Sequence, residues 1–138
     1  TAAFLLEGRG LISSRVLVRR RDGFAITGAD ALPGGDVILV ERRYRGGVDV
    51  AMRLRRVGRD AVAAGELVDG PILLEAGFSS EIDNMEAVAS DVMDGQIVIT
   101  VASDDNHSFW QRTLFLRFVV SDPVPAPNPR RMAVQKAG

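Results

Sequence analysis

An all-β chain, made of about two to three propeller-type blades of antiparallel strands, is what this sequence predicts, on three observations. Apolar residues fall in short runs bounded by Gly, Pro, Asp and Ser, with turn signals roughly every 8 to 12 residues, which is the punctuation of strands. Two runs, Val37 to Val40 and Ile97 to Val101, carry apolar side chains on both faces, as a strand buried from two sides requires. Third, a weak internal repeat has an offset of about 56 residues, near the length of a large blade. Asp30-Ala31-Leu32, a Gly-Gly turn, Val37 to Val40 and Glu41 resemble Glu86-Ala87-Val88, an Asp-Gly turn, Ile97 to Val101 and Asp104. In each copy an acid starts one strand and a second acid follows the doubly apolar one. A propeller closes with roughly four to eight blades. The expectation is therefore a segment of a larger ring, or a ring closed by self-association, with a small sandwich as the other architecture.

Taken in order, Phe4 to Leu6 and Arg15 to Val18 read as strands separated by Gly8, Gly10 and Ser13-Ser14. Asp22-Gly23 is a hairpin-type turn, because glycine accepts positive φ at little cost. Phe24 to Thr27, Ala29 to Leu32 and Val37 to Val40 follow, the last two joined by Pro33-Gly34-Gly35. Beyond Gly46-Gly47, Val48, Val50, Met52 and Leu54 alternate with Asp49, Ala51, Arg53 and Arg55, which predicts a strand whose arginines face water. Gly58 and Gly65 leave room for no more than a helical turn at Ala61 to Gly65. Leu67 to Leu74, interrupted by Asp69-Gly70-Pro71, Met85 to Ala89, Ile97 to Val101 and Thr113 to Val120 complete the strands. The last would be a hazardous edge if unpaired. Residues 1–122 form the blade segment, and 123–138, with Pro123, Pro125, Pro127 and Pro129 at alternate positions, form an extended tail outside the sheets.

Composition narrows the chemistry. The 138 residues carry a formal net charge of -1 with one Trp and one Tyr, which gives neither the field nor the stacking surface for nucleic acid. No apolar run is long enough for a membrane helix, and the first residues show no signal peptide. With no Cys, thiolate chemistry and disulfides are excluded. All but one of the 17 basic residues, Lys136, are arginines.

ITGADALPGGDVILVERR, then IDNMEAVA, then SDDN with QRTLFLRF a few residues on, together resemble the phytase-like family, described by an esterase-like activity of phytase. The resemblance runs from about Phe4 to Val120 and is to the family's C-terminal half. Ala87 and His107 depart from the pattern, standing where glycine and an aromatic are usual. The resemblance implies a β-propeller, exported to the periplasm or secreted, and a hydrolase of phosphate or carboxylic esters.

Antiparallel pairing of the two strands between Ile82 and Asn106 brings Asp83, Asn84 and Glu86 to the same sheet end as Asp104, Asp105 and Asn106. Such oxygen-only donors suit a hard cation, Ca²⁺ best, with Asp83, Glu86, Asp104, Asp105 and Asn106 as its ligands. Asp and Asn also serve as turn formers, through side-chain bonds to the backbone. Glu86 and Asp104, beside apolar strands, are expected to be partly desolvated and to need a partner, a cation or Arg112. Either carboxylate can activate water for attack on an ester, while Arg42, Arg43 and Arg112 hold an anionic substrate. Serine chemistry is disfavoured: there is no G-x-S-x-G elbow, and the lone histidine, His107, lies too close to Ser103 and Ser108. The alternative is a non-catalytic propeller used for binding or at the cell envelope, with the same acids structural.

Overall fold

A computed structural model describes residues 2–7, 11–46, 49–64, 67–77, 82, 84–104 and 113–121. Among them stand ten strands and one short helix, in three sheets. β1 (Ala2–Glu7), β2 (Leu11–Val18) and β6 (Leu67–Val68) form the first sheet, in the order β1-β2-β6. The second is the antiparallel order β3 (Ala25–Ala31), β4 (Val37–Tyr44), β5 (Val50–Val57), β7 (Ile72–Gly77). β8 (Met85–Met93), β9 (Gln96–Ser103) and β10 (Phe115–Val120) make the third. Apart from the two-residue parallel contact of β2 with β6, every pairing is antiparallel, and these are blade-type sheets.

The middle sheet is buried on both faces, and period-two alternation assigns its residues to two cores. Ile38, Val40, Met52 and Leu54 face the third sheet and pack with Met85, Ile97, Ile99 and Val101. Leu39 and Val57 face the first sheet and pack with Val16, Val18 and Val68. The doubly apolar runs of β4 and β9 are thus central strands.

Several elements differ from the sequence reading. β2 runs through Ser13-Ser14, and Phe24 to Leu32 holds one strand, β3, with a bulge between Ile26 and Gly28. Asp22-Gly23 is a turn, closed by Phe24 N–H donating to Arg21 C=O at 2.9 Å, but not a hairpin. β2 and β3 on either side belong to different sheets, so the turn steps between blades. Asp94-Gly95, with φ of 51° and 75°, is the hairpin turn, joining Met93 to its partner Gln96. The helix α1 (Arg59–Ala64) forms despite its length, since Asp36 Oδ1 accepts from Arg59 N–H at 3.0 Å and satisfies one of its free amides.

The two repeat copies coincide in β4 and β9 but not in their acids. Asp30 lies near the end of β3, whereas Glu86 is the second residue of β8. The residues equivalent by pairing are Thr27 and Glu86, each at a bulge near the start of the first strand. By the same pairing Glu41 is matched by Ser103, not Asp104, since Glu41 lies opposite Ile26 and Ser103 opposite Met85. The proposed tail, 123–138, lies outside the described residues.

Candidate functional site

β4 ends in Glu41-Arg42-Arg43, and alternation sends Arg42 toward the third sheet while Glu41 and Arg43 point toward the first. On the third-sheet side, Arg42 Nη1 donates to Asn84 Oδ1, and Asn84 Nδ2 donates to Glu86 Oε1. The backbone C=O of Asn84 accepts from Asp104 N–H at 3.0 Å. One buried residue therefore contacts Arg42, Glu86 and Asp104. Asn84 is only 3% exposed. The pairing of Met85 with Ser103 brings the start of β8 level with the end of β9, as the sequence reading required.

Two close approaches join the blades at this point. Thr27 Oγ1, in the β3 bulge, donates to Met85 C=O at 2.8 Å. A Cβ on Gly28 would stand 3.1 Å from Glu86 C=O and 3.3 Å from Val40 Cγ1, so β3 reaches β8 this closely because residue 28 has no side chain.

Glu86 and Asp104 are exposed, contrary to the expected desolvation. The bulge between Met85 and Ala87 turns Glu86 out of the core, and Asp104 lies one residue beyond β9. Of the anticipated substrate-binding arginines, Arg42 joins the cluster, but Arg43 turns away and stacks its guanidinium 4.8 Å from the Phe24 ring centroid. Its Nη2 pairs with Asp49 at 3.2 Å. Asp83, Asp105, Asn106 and Arg112 lie outside the described residues, as do His107 and Ser108. Among the described residues no group of three or more His, Cys, Asp or Glu converges on one point. Glu86 and Asp104 have the oxygen chemistry of hard-cation ligands but do not by themselves complete a site.

On the opposite face lies a charged network that sequence reasoning missed. Arg53 and Arg55, expected to face water, are fully buried, and Glu41 is 1% exposed. Glu41 accepts from Arg53 Nε and from Arg55 Nη2, each at 2.5 Å. Arg53 Nη1 pairs with Asp22 at 3.0 Å, and its guanidinium lies 4.2 Å from the Phe24 centroid. Arg55 Nη1 reaches Asp69 Oδ1 at 2.8 Å and Arg19 C=O at 2.9 Å, and Asp69 also pairs with Arg21. Burial opposes the charge on Arg53, yet Glu41 and Asp22 outweigh it and hold its pKa above the ordinary value. Burial likewise pushes Asp69 up, but the Gly70 amide and the Arg21 and Arg55 guanidiniums prevail and keep its carboxyl below the usual range. The signal was present in β4: a strand apolar on both faces lies in a sheet covered on both sides. The arginines of its neighbour had to be buried as well, and had to find carboxylates.

The comparisons with known proteins follow the same lines. No curated protein and no solved structure is similar enough to match. A family model described as "Phytase-like: Esterase-like activity of phytase" matches residues 4–107, stopping short of the Val120 limit read from the sequence. That span takes in the first sheet from Phe4 on, all of the second, β8, β9 and the Arg42–Asn84–Glu86–Asp104 cluster, and by it the chain belongs to the phytase-like family.

Proposed function

We propose that the chain is the hydrolase segment of a phytase-like protein, acting on a phosphate or carboxylic ester at the end of the third sheet where Arg42, Glu86 and Asp104 meet. The observation that carries this reading is the hydrogen-bonded chain from Arg42 through Asn84 to Glu86, with Asp104 bonded to the same asparagine's backbone. It sets a fixed cation beside exposed carboxylates, the pairing that ester hydrolysis uses. The family description, an esterase-like activity, supports the same class.

In this reading Arg42 holds an anionic oxygen of the substrate through its guanidinium fork. Glu86, exposed at the bulge, takes the proton of the attacking water, and Asp104 orients that water from the neighbouring strand. A hard divalent cation, Ca²⁺ by preference, is proposed to be held by Glu86 and Asp104 together with Asp83, Asp105 and Asn106. When bound it would polarise the phosphoryl or acyl oxygen. Arg112 is proposed as a second anion holder, whereas the stacking of Arg43 on Phe24 assigns it to the blade interface. Export to the periplasm or beyond belongs to the same proposal and is carried by the family resemblance.

Hydrolysis of p-nitrophenyl phosphate and p-nitrophenyl acetate, with and without chelator, tests the reading. Glu86→Gln is expected to lower kcat by roughly 10² to 10⁴, the usual contribution of a general base. Unchanged rates in both Glu86→Gln and Asp104→Asn would refute it and leave a non-catalytic binding module as the function.

A further inference from the structure

We infer that Asn84 is the positioning residue of this site, a neutral spacer that keeps Arg42 and Glu86 aligned and apart. The inference rests on the function proposed above but concerns a residue to which that reading gives no chemical role. An arginine and a glutamate this close would ordinarily meet in a direct ion pair, and each would then satisfy the other. Here an amide stands between them, offering Oδ1 to the guanidinium and Nδ2 to the carboxylate. A side-chain amide accepts from a cation at one atom and donates to an anion at the other without changing charge. Aspartate would accept from Arg42 but could not donate to Glu86. Leucine of similar size would do neither.

Its surroundings give Asn84 the rigidity the role needs. It is 3% exposed, between buried Ile82 and Met85, which anchor the segment in the core shared by the second and third sheets. Its C=O accepts from Asp104 N–H, so the same residue also fixes where β9 ends. Thr27 holds the next carbonyl, that of Met85, from the opposite blade. A displacement of Asn84 therefore moves a cation on one sheet and two carboxylates on another together. Besides its bond to Glu86 two residues on, the Asn84 side chain reaches Arg42 across 42 residues of sequence, further than turn formation requires.

The test uses the 138-residue chain and two variants, Asn84→Asp and Asn84→Ala. The first readout is independent of activity: ¹⁵N relaxation of the Arg42 Nε–H. It is expected to be as rigid as the backbone in the native chain and to become mobile in Asn84→Ala, with the amide spectrum away from the site unmoved. Asn84→Asp retains the Arg42 arm and loses the Glu86 arm, so Arg42 stays rigid. The second readout is p-nitrophenyl phosphate hydrolysis. Asn84→Asp is expected to lower kcat at least tenfold with KM within about twofold, whereas Asn84→Ala lowers kcat and raises KM, a split that simple loss of stability would not give. If Arg42 is as mobile in the native chain as in Asn84→Ala, this inference falls and the hydrolase reading stands. If Arg42 is rigid but Glu86→Gln and all Asn84 variants hydrolyse like the native chain, the hydrolase reading falls and the positioning role with it. If Asn84→Ala proves unfolded, Asn84→Asp alone decides through its kcat, and an unchanged value overturns the inference.

Discussion

Glu41 is buried with two guanidiniums bonded to it at 2.5 Å, so its neighbours depend on its charge. Removing it alone, as Glu41→Leu, leaves two buried arginines short of a counter-charge. The expected cost is roughly 3 to 5 kcal/mol in urea denaturation. Joint replacement of Glu41, Arg53 and Arg55 by Leu, Met and Leu removes all three desolvation costs, and is expected to destabilise less than Glu41→Leu does. Such a network also dates its own failure on an acid titration. Asp69 is held below its ordinary pKa, as is Asp36, where the Arg59 amide is the main cause and the Arg56 side chain assists against burial. A carboxylate with a depressed folded pKa contributes stability that is fully present above its unfolded value, about 3.9, and lost as pH falls through the folded one. Thermal melts should therefore be flat above about pH 5 and fall steeply below pH 4, and Asp69→Asn should be less stable at neutral pH with a shallower acid limb.

At the scale of the element, the strands were legible and their interruptions were not. Alternation located β5 and the both-faces-apolar runs located β4 and β9, because side-chain period is a local property of sequence. The bulges at Thr27 and Glu86 cost one unpaired residue each and leave no compositional mark, so Phe24 to Leu32 read as two strands and Glu86 as a partly desolvated acid. Asp22-Gly23 shows the same limit: the dipeptide specifies a turn, but whether it joins partners in one sheet or steps to the next is decided by distant pairing. Gly28 gives an element-level prediction. Gly28→Val adds branched atoms where 3.1 Å already separates a Cβ from Glu86 C=O, and overpacking of this kind costs roughly 1 to 3 kcal/mol. Because the displaced strand is β8, the same variant is expected to lower hydrolysis beyond what its melting temperature explains. Equal activity per folded molecule would show that the bulge contact does not position the site.

Three sheets lie face to face, and among the described residues only the middle one is covered on both sides. Hydrogen exchange is expected to follow that order, with β4 and β5 amides slowest and those of β10 and β1 fastest, since an edge strand opens by breaking one ladder of hydrogen bonds and a central strand must break two. Exchange in β10 as slow as in β4 would mean that the edge left unpaired among the described residues is covered in solution. β10 carries Phe115 and Val119 at 71% and 55% exposure, the surface that the sequence marked as hazardous when unpaired. Fold class and the approach of the two acidic ends were readable at this scale. The link to Arg42 was not, because it joins residues on two sheets, and a pattern within either strand contains no information about the other.

The end of β4 sets a rule for how the gene can change. Glu41, Arg42 and Arg43 point to alternate sides, so one carboxylate serves the buried arginines while its neighbour serves Asn84. Inserting or deleting a single residue between Leu39 and Arg43 would exchange these destinations, leaving Glu41 opposite Asn84 and a third arginine against Arg53 and Arg55. Like charges would then meet in a buried site, with only Asp22 and Asp69 at its margin to oppose them. The ion network thus works as a frame check on the strand, and lineages of this chain should tolerate length variation in the turns around Gly34 and Gly46 while forbidding it in the five residues from Leu39 to Arg43.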